Sequence, residues 1–432
     1  MGWAVDVRQA RSGAVAVTLG ALAGAGAALA NFVMPGPAAG IGAVAGVVTF
    51  YGGHRWEQHQ ERRRVREAWQ AAVLAGPSAR TESAVFAGGD SVLEALNPDH
   101  AVVPFSPLRG AELRQLLRWC ATASERRVWP VSGDAGGGKT RLLLEVSHRL
   151  SGKGWECGWI RHGRATDAIS AAALRDEPVL LIVDDADAYS DQADLERMLT
   201  GVARLEAGSL VRVALSAREF GAWWEQLLSD LEPAVHAALT PAGHTRLSPI
   251  VIGGVAGQQQ LFAQAVTRYA RHFSRPAPVA TLAGVTAATS LAELHAAAAI
   301  TAHDGLTGTV AVDTALQVLF ATEEAWWQEN ASAWGLNCPL TDLQAALTMA
   351  ALIGADDRHQ MARRLRCLPS LSAASPKHLT DIALWLHQLY GQRADQWIDP
   401  HLPAHLAERY AGHCALAQPA LPTALSAAAL VV

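Results

Sequence analysis

At 432 residues the chain exceeds one ordinary domain and predicts two or three units. Half of its residues are hydrophobic and only 17% are charged, which points to a membrane segment or an Ala-rich helical body. The net charge of -5 removes any global case for nucleic-acid binding, and the five cysteines, scattered without a CxxC or a Cys/His pair, fit reduced thiols rather than a disulfide framework. Arginine carries nearly all the positive charge, since Lys139, Lys153 and Lys377 are the only lysines, a usage typical of a high-GC bacterial genome.

The chain begins with two uncharged stretches, residues 13–34 and 36–53, separated by Pro35-Gly36-Pro37. The first comfortably meets the length of about 20 apolar residues that a spanning helix needs and the second only just does, and the Pro-Gly-Pro turn predicts a reversal between them. Gly20 with Gly24, and Gly42 with Gly46, place small residues where two membrane helices can approach closely. Arg8 and Arg11 lie before the first stretch, and Arg55, Arg62, Arg63, Arg64 and Arg66 after the second. Both ends are therefore expected in the cytoplasm. Ala28-Leu29-Ala30 also imitates a signal-peptide cut, and a soluble Gly/Ala-rich hairpin is a further alternative. The two-helix anchor is the preferred reading because it keeps the chain beyond residue 54 on the cytoplasmic side. Residues 57–69 read as a charged helix leaving the membrane, and residues 75–100 have linker composition.

Gly133-Asp134-Ala135-Gly136-Gly137-Gly138-Lys139-Thr140 matches a complete phosphate-loop pattern between an expected strand at 128–132 and an expected helix at 141–150. Glycines free the backbone to aim N–H groups at phosphate oxygens, and the helix start adds partial positive charge. Lys139 is expected on the β- and γ-phosphates and the Thr140 hydroxyl on Mg²⁺. A second apolar run, residues 178–183, ends in Asp184-Asp185 and reads as a strand buried on both faces. Asp184 is then a Mg²⁺ ligand, and Asp185 is placed to orient or deprotonate the attacking water. A third strand, residues 210–215, leads into Ser216-Ala217-Arg218, from which Arg218 is expected to sense or stabilise the transferring phosphoryl group.

These three motifs, in this order, resemble the STAND branch of P-loop ATPases, related to NACHT and AP-ATPase modules. The paired Asp184-Asp185 looks like that branch, and Ser216-Ala217-Arg218 is similar to its T/S-x-R sensor. Val102-Val103-Pro104-Phe105, Arg109, Glu112-Leu113, Gly154-Trp155 and Trp223-Trp224 extend the likeness. The resemblance implies adenine rather than guanine, held near Val103 and Pro104 as ATP or ADP. Leu108 departs from the glycine that the family carries before the arginine at 109, and no Met-His-Asp triplet occurs in the helical part. Pro249 is the counterpart of the family's lid proline.

Beyond residue 256 the chain is Ala/Leu-rich and helical in pattern, with clear stretches at 258–273 and 342–352 and breaks at Pro276, Gly305 and Pro339. No fixed repeat is visible, TPR-like repeats included, and the tryptophans read as core anchors. The expected architecture is an α/β P-loop NTPase core at 101–255, a parallel sheet sandwiched by helices. An all-α domain with a winged-helix-like lid is expected at 256–432. A transmembrane hairpin at 1–54 and a charged linker at 55–100 precede the core. The expected activity is that of an ATP-hydrolysing switch at the bacterial cell membrane with its ATPase domain in the cytoplasm. Expected partners are nucleotide, the bilayer, a second copy and an effector protein, without specific nucleic acid. An AAA+-type motor and a non-hydrolysing nucleotide-bound scaffold are the alternatives.

Overall fold

A computed structural model describes residues 60, 63–74, 92–122, 126–161, 163–189, 191–206, 208–239, 243–248, 254–286, 289–390, 397–398 and 404–431. Two compact units divide the chain, Met1–Ala71 and Ala72–Val432. In the first, residues 63–71 are helical, with an exposed Arg63–Glu67 ion pair at 2.8 Å one turn apart. No helix among the described residues is long and apolar enough to cross a membrane. The two apolar stretches at 13–34 and 36–53, and Pro249, lie outside the described residues.

In the second unit, a six-stranded sheet has the order β1-β3-β4-β5-β2-β6. These strands are β1 (Val73–Leu74), β2 (Val128–Ser132), β3 (Glu156–Ile160), β4 (Val179–Val183), β5 (Val211–Ala217) and β6 (Thr245–Arg246). All pairings are parallel except β1 with β3. Every residue of β2, β4 and β5 is buried, as expected for strands covered on both faces. Pro130 sits inside β2 because β6 is only two residues long and pairs with Val131 and Ser132. At Pro130 itself the strand has its register partner, Leu215, on the β5 side.

The insertion of β5 between β2 and β4 positions the site. In register, Ser132 faces Ala217 and Val183 faces Leu215. One step along, the carboxyl end of β4 therefore meets the last turn of β5, and both lie beside the loop that leaves β2. Around the sheet run α2 (Gly110–Ala121), α3 (Lys139–Ser151), α4 (Ala165–Ala172), α5 (Gln192–Ala203), α6 (Ala222–Ser229) and α7 (Pro233–Leu239), while the four-residue α1 (Val92–Ala95), earlier in the chain, packs into the helical part that follows. Helix α3 buries Leu142, Leu143, Val146 and Leu150, a spacing of three to four residues that turns one stripe onto the sheet. Its core also takes in Trp119, Trp129, Leu180 and Ile182.

The remainder is helical: α8 (Gly254–His272), α9 (Leu291–Asp304), α10 (Val312–Ala333), α11 (Leu340–Leu352), α12 (Arg358–Leu365), α13 (Pro376–Tyr390), α14 (Ala404–Ala417) and α15 (Leu421–Ala429). Helix α9 is its hub, buried continuously from Ala296 to Ala302. Alanine on every side lets neighbouring helices approach closely. Ser290 and Glu293 form a reciprocal capping box at its start, and Gly305 ends it in a left-handed conformation. Trp327 and Trp385 are fully buried anchors of this core, while Trp334 is exposed. The expectation of an all-α domain needs correction. Two four-residue strands, β7 (Ala280–Ala283) and β8 (Gly308–Ala311), pair in parallel with α9 as their crossover. Each is too short, and too poor in large apolar residues, to carry a period-two pattern.

Candidate nucleotide site

The loop between β2 and α3 takes its shape from glycine at Gly136 (φ 72°) and at Gly138, the left-handed residue that starts the helix (φ 92°). Gly137 N–H closes a turn onto the Asp134 carbonyl at 3.0 Å, and Gly133 N–H donates to the Arg218 carbonyl at 3.2 Å. The Lys139 ammonium lies within this cradle, donating to the carbonyls of Gly133 at 2.9 Å and Asp134 at 3.3 Å. Buried Arg109 props the loop from outside, donating to the carbonyls of Gly137 at 3.3 Å and Ser248 at 2.7 Å.

The next turn carries the acidic side of the site. Thr140, the first hydroxyl of α3, donates to Asp184 Oδ2 at 2.9 Å. The Ser216 hydroxyl donates to Asp184 Oδ1, and the Asp185 N–H donates to Ser216 Oγ at 2.9 Å. Asp185 stands at φ 48°, ψ 51°, a left-handed conformation that costs a non-glycine residue and concentrates at functional positions. The residue keeps access to solvent. Its carboxyl is nevertheless pushed up to about 6 by burial among neighbouring atoms and by the Asp184 charge, with Lys139 pulling the other way. A hydroxyl and a carboxylate oxygen side by side at Thr140 and Asp184 form a hard oxygen donor pair of the kind Mg²⁺ takes.

Most sequence-derived site residues come together here: Gly133, Gly136, Gly137, Gly138, Lys139, Thr140, Asp184 and Asp185. Three sit differently. Arg218 N–H donates to Asp187 Oδ2 at 3.0 Å, but its guanidinium is half exposed and bonds to Glu408 of α14. Val103 packs against the helical core and Pro104 is exposed. Ser216, legible in the sequence only as a polar residue beyond a strand, lies inside β5 and joins both aspartates.

A contact from the helical part also reaches the loop, and the sequence analysis missed it. Ala292 N–H, in the first turn of α9, donates to the Gly136 carbonyl at 3.1 Å. A Cβ placed on Gly136 would come within 2.9 Å of Ser290 Oγ and 3.0 Å of Ala292 Cβ. The Ser-x-x-Glu spacing at 290–293 marks a helix start in the sequence, but nothing local says that it rests on the phosphate loop.

Residues 109–226 match the family described as Novel STAND NTPase 5. A comparison with curated proteins returned no match. Among solved structures, the chain is similar to the Aeropyrum pernix ORC1 protein in complex with DNA, at 14% identity and a TM-score of 0.36, covering 76% of this chain and 97% of that one. Domain III of the Thermotoga maritima replication initiation protein DnaA shows 13% identity and a TM-score of 0.34, covering 52% and 97%. Cdc6p from Pyrobaculum aerophilum shows 14% identity and a TM-score of 0.30, covering 77% and 97%. The segment that builds the nucleotide site, residues 109–226, is thus similar to the P-loop NTPase module of the STAND class.

Proposed function

We propose that the chain binds ATP at the loop Gly133–Thr140, hydrolyses it slowly, and uses the ATP/ADP exchange to alter how its helical part engages the core. The observation that carries this reading is the hydrogen-bonded chain Thr140–Asp184–Ser216–Asp185 beside Lys139. Backbone N–H groups of the loop and Lys139 would hold the phosphates. Thr140 and Asp184 would hold Mg²⁺, which supplies neutralisation of phosphate charge when bound.

Asp185 is the base of choice. A carboxyl at about 6 is ionised at neutral pH yet far more basic than an ordinary aspartate. In this reading it takes a proton from water as the water oxygen bonds to the γ-phosphorus. The bond to the β–γ bridging oxygen breaks, leaving ADP and inorganic phosphate. Asp184, bound by Thr140 and Ser216, keeps its oxygens turned to the metal side.

Phosphate release by the full chain, its Lys139→Ala form and its Asp185→Asn form tests this. Wild-type turnover lost in both variants is the expected result, and equal turnover in all three would sink it. Nucleotide retained through purification with no phosphate release would favour a scaffold instead, and stimulation by nucleic acid a motor.

We place the switch at the cytoplasmic face of a bacterial membrane, on the uncharged stretches at 13–34 and 36–53 and their flanking arginines. Resistance of the full chain to carbonate extraction from membranes, lost on deletion of residues 1–54, is the expected behaviour. Self-association and an effector partner belong to the same reading, and a mass that rises with ATP in light scattering is its check.

A further inference from the structure

Helix α14 carries three ionisable side chains, His405 and, three and four residues on, Glu408 and Arg409. They reach three places: Asp313 at the start of α10, which pairs with Arg409, and two next to the phosphate loop. Glu408 accepts from Arg218, the residue just past β5. His405 Nε2 and Arg409 Nε both lie 3.1 Å from Glu293 Oε1. Glu293 is the capping-box acid of α9, accepting Ser290 N–H at 2.7 Å, and the first turn of α9 rests on Gly136. One helix from the far end of the chain thus ties the end of the sensor strand to the helix seated on the loop.

We propose that α14 is a latch that reports occupancy of the phosphate loop, through exchange of Arg218 between Glu408 and the phosphates. This rests on the nucleotide reading above and adds the part that moves. The two grips differ in strength for a physical reason. The Arg218 and Glu408 side chains are 53% and 44% exposed, and such a pair biases an equilibrium by no more than about fivefold. Glu293 is only 6% exposed and has its backbone bond as well, so its grip is firmer. A triphosphate carries several negative charges against the single charge of Glu408, and charge-assisted bonds to phosphate favour arginine. The Glu408 end therefore opens first, while the Glu293 end keeps α14 attached.

The test uses the full chain with amide hydrogen exchange over residues 404–417 and the release rate of a fluorescent ADP analogue. Glu408→Gln is expected to raise exchange over 404–417 without nucleotide and to speed release by about two- to fivefold. ATPγS is expected to raise the same exchange in the wild-type chain. Arg409→Gln, at the firmer end, is expected to loosen residues 290–296 as well. Unchanged exchange and release in Glu408→Gln, or protection over 404–417 unmoved by bound ATPγS, would overturn the latch. If the analogue binds wild type and Lys139→Ala alike, the phosphate-loop reading fails instead, and the latch with it.

Discussion

The Thr140 hydroxyl and the Asp184 carboxylate meet at 2.9 Å although 44 residues separate them in the chain. Their meeting is a consequence of the strand order. Because β5 lies between β2 and β4, Ser216 closes the same contact from the other side and donates to the second oxygen of Asp184. Thr140→Val removes a donor and an expected metal ligand together. Mg²⁺-dependent nucleotide affinity is expected to fall by about tenfold or more, a loss of about 1.4 kcal/mol or greater, while affinity in EDTA changes little. Titration of a fluorescent ATP analogue with and without Mg²⁺ reads both numbers.

Asp185 couples turnover to pH. Its carboxyl sits at about 6, so hydrolysis is expected to rise as pH increases through that value and then level off. Stability runs the other way. A folded pKa above the ordinary 3.8 means that the native state holds its proton longer than the unfolded chain does. Stability is therefore lost as pH climbs from near 4 through 6. Asp185→Asn should abolish phosphate release and stabilise the fold slightly at pH 7, by less than about 1 kcal/mol because solvent reaches the site, with a small rise in melting temperature. A melting temperature lowered at pH 7 would contradict the assignment.

Gly136 is pinned twice, by its φ of 72° and by the α9 start against it. Gly136→Ala adds left-handed strain of about 1–2 kcal/mol and pushes on Ser290 and Ala292. Thermal denaturation should report that loss, and hydrogen exchange over residues 290–296 should rise. Gly154→Ala provides the contrast. Its φ of 81° carries the strain, but no atom lies within 4 Å of the added methyl, so the loosening of 290–296 should be absent.

Glu293 links acid sensitivity to the helical part. Burial raises its pKa, but the bonds from His405 and Ser290 and the charges of His405 and Arg409 outweigh that and hold it at about 2. A depressed carboxyl stabilises the fold above its unfolded value near 4.5, and that contribution drains away as pH falls from there toward 2. Urea midpoints across that range should fall more steeply for wild type than for Glu293→Gln. Glu293→Ala at pH 7 is expected to cost about 1–3 kcal/mol, through the lost cap and the lost partner of His405 Nε2, while Arg409 keeps its pairing with Asp313.

The sequence by itself determined the chemistry of the phosphate loop. Gly133 to Thr140 needs only local backbone freedom and a helix after it, and both are written in adjacent residues. It also determined β4, since Val179 to Val183 is apolar without interruption and ends in charge. The end of α9 was readable from Gly305. Tertiary structure alone decided what these pieces face. Strand order is a long-range choice, so the bond from Ser216 to Asp184 has no local trace. Arg218 illustrates the same limit. Its place after β5 was legible, yet the direction of its guanidinium depends on Glu408, 190 residues away. The short parallel pair β7 and β8 was hidden because four residues cannot display a strand period, and only the crossover through α9 brings their edges together.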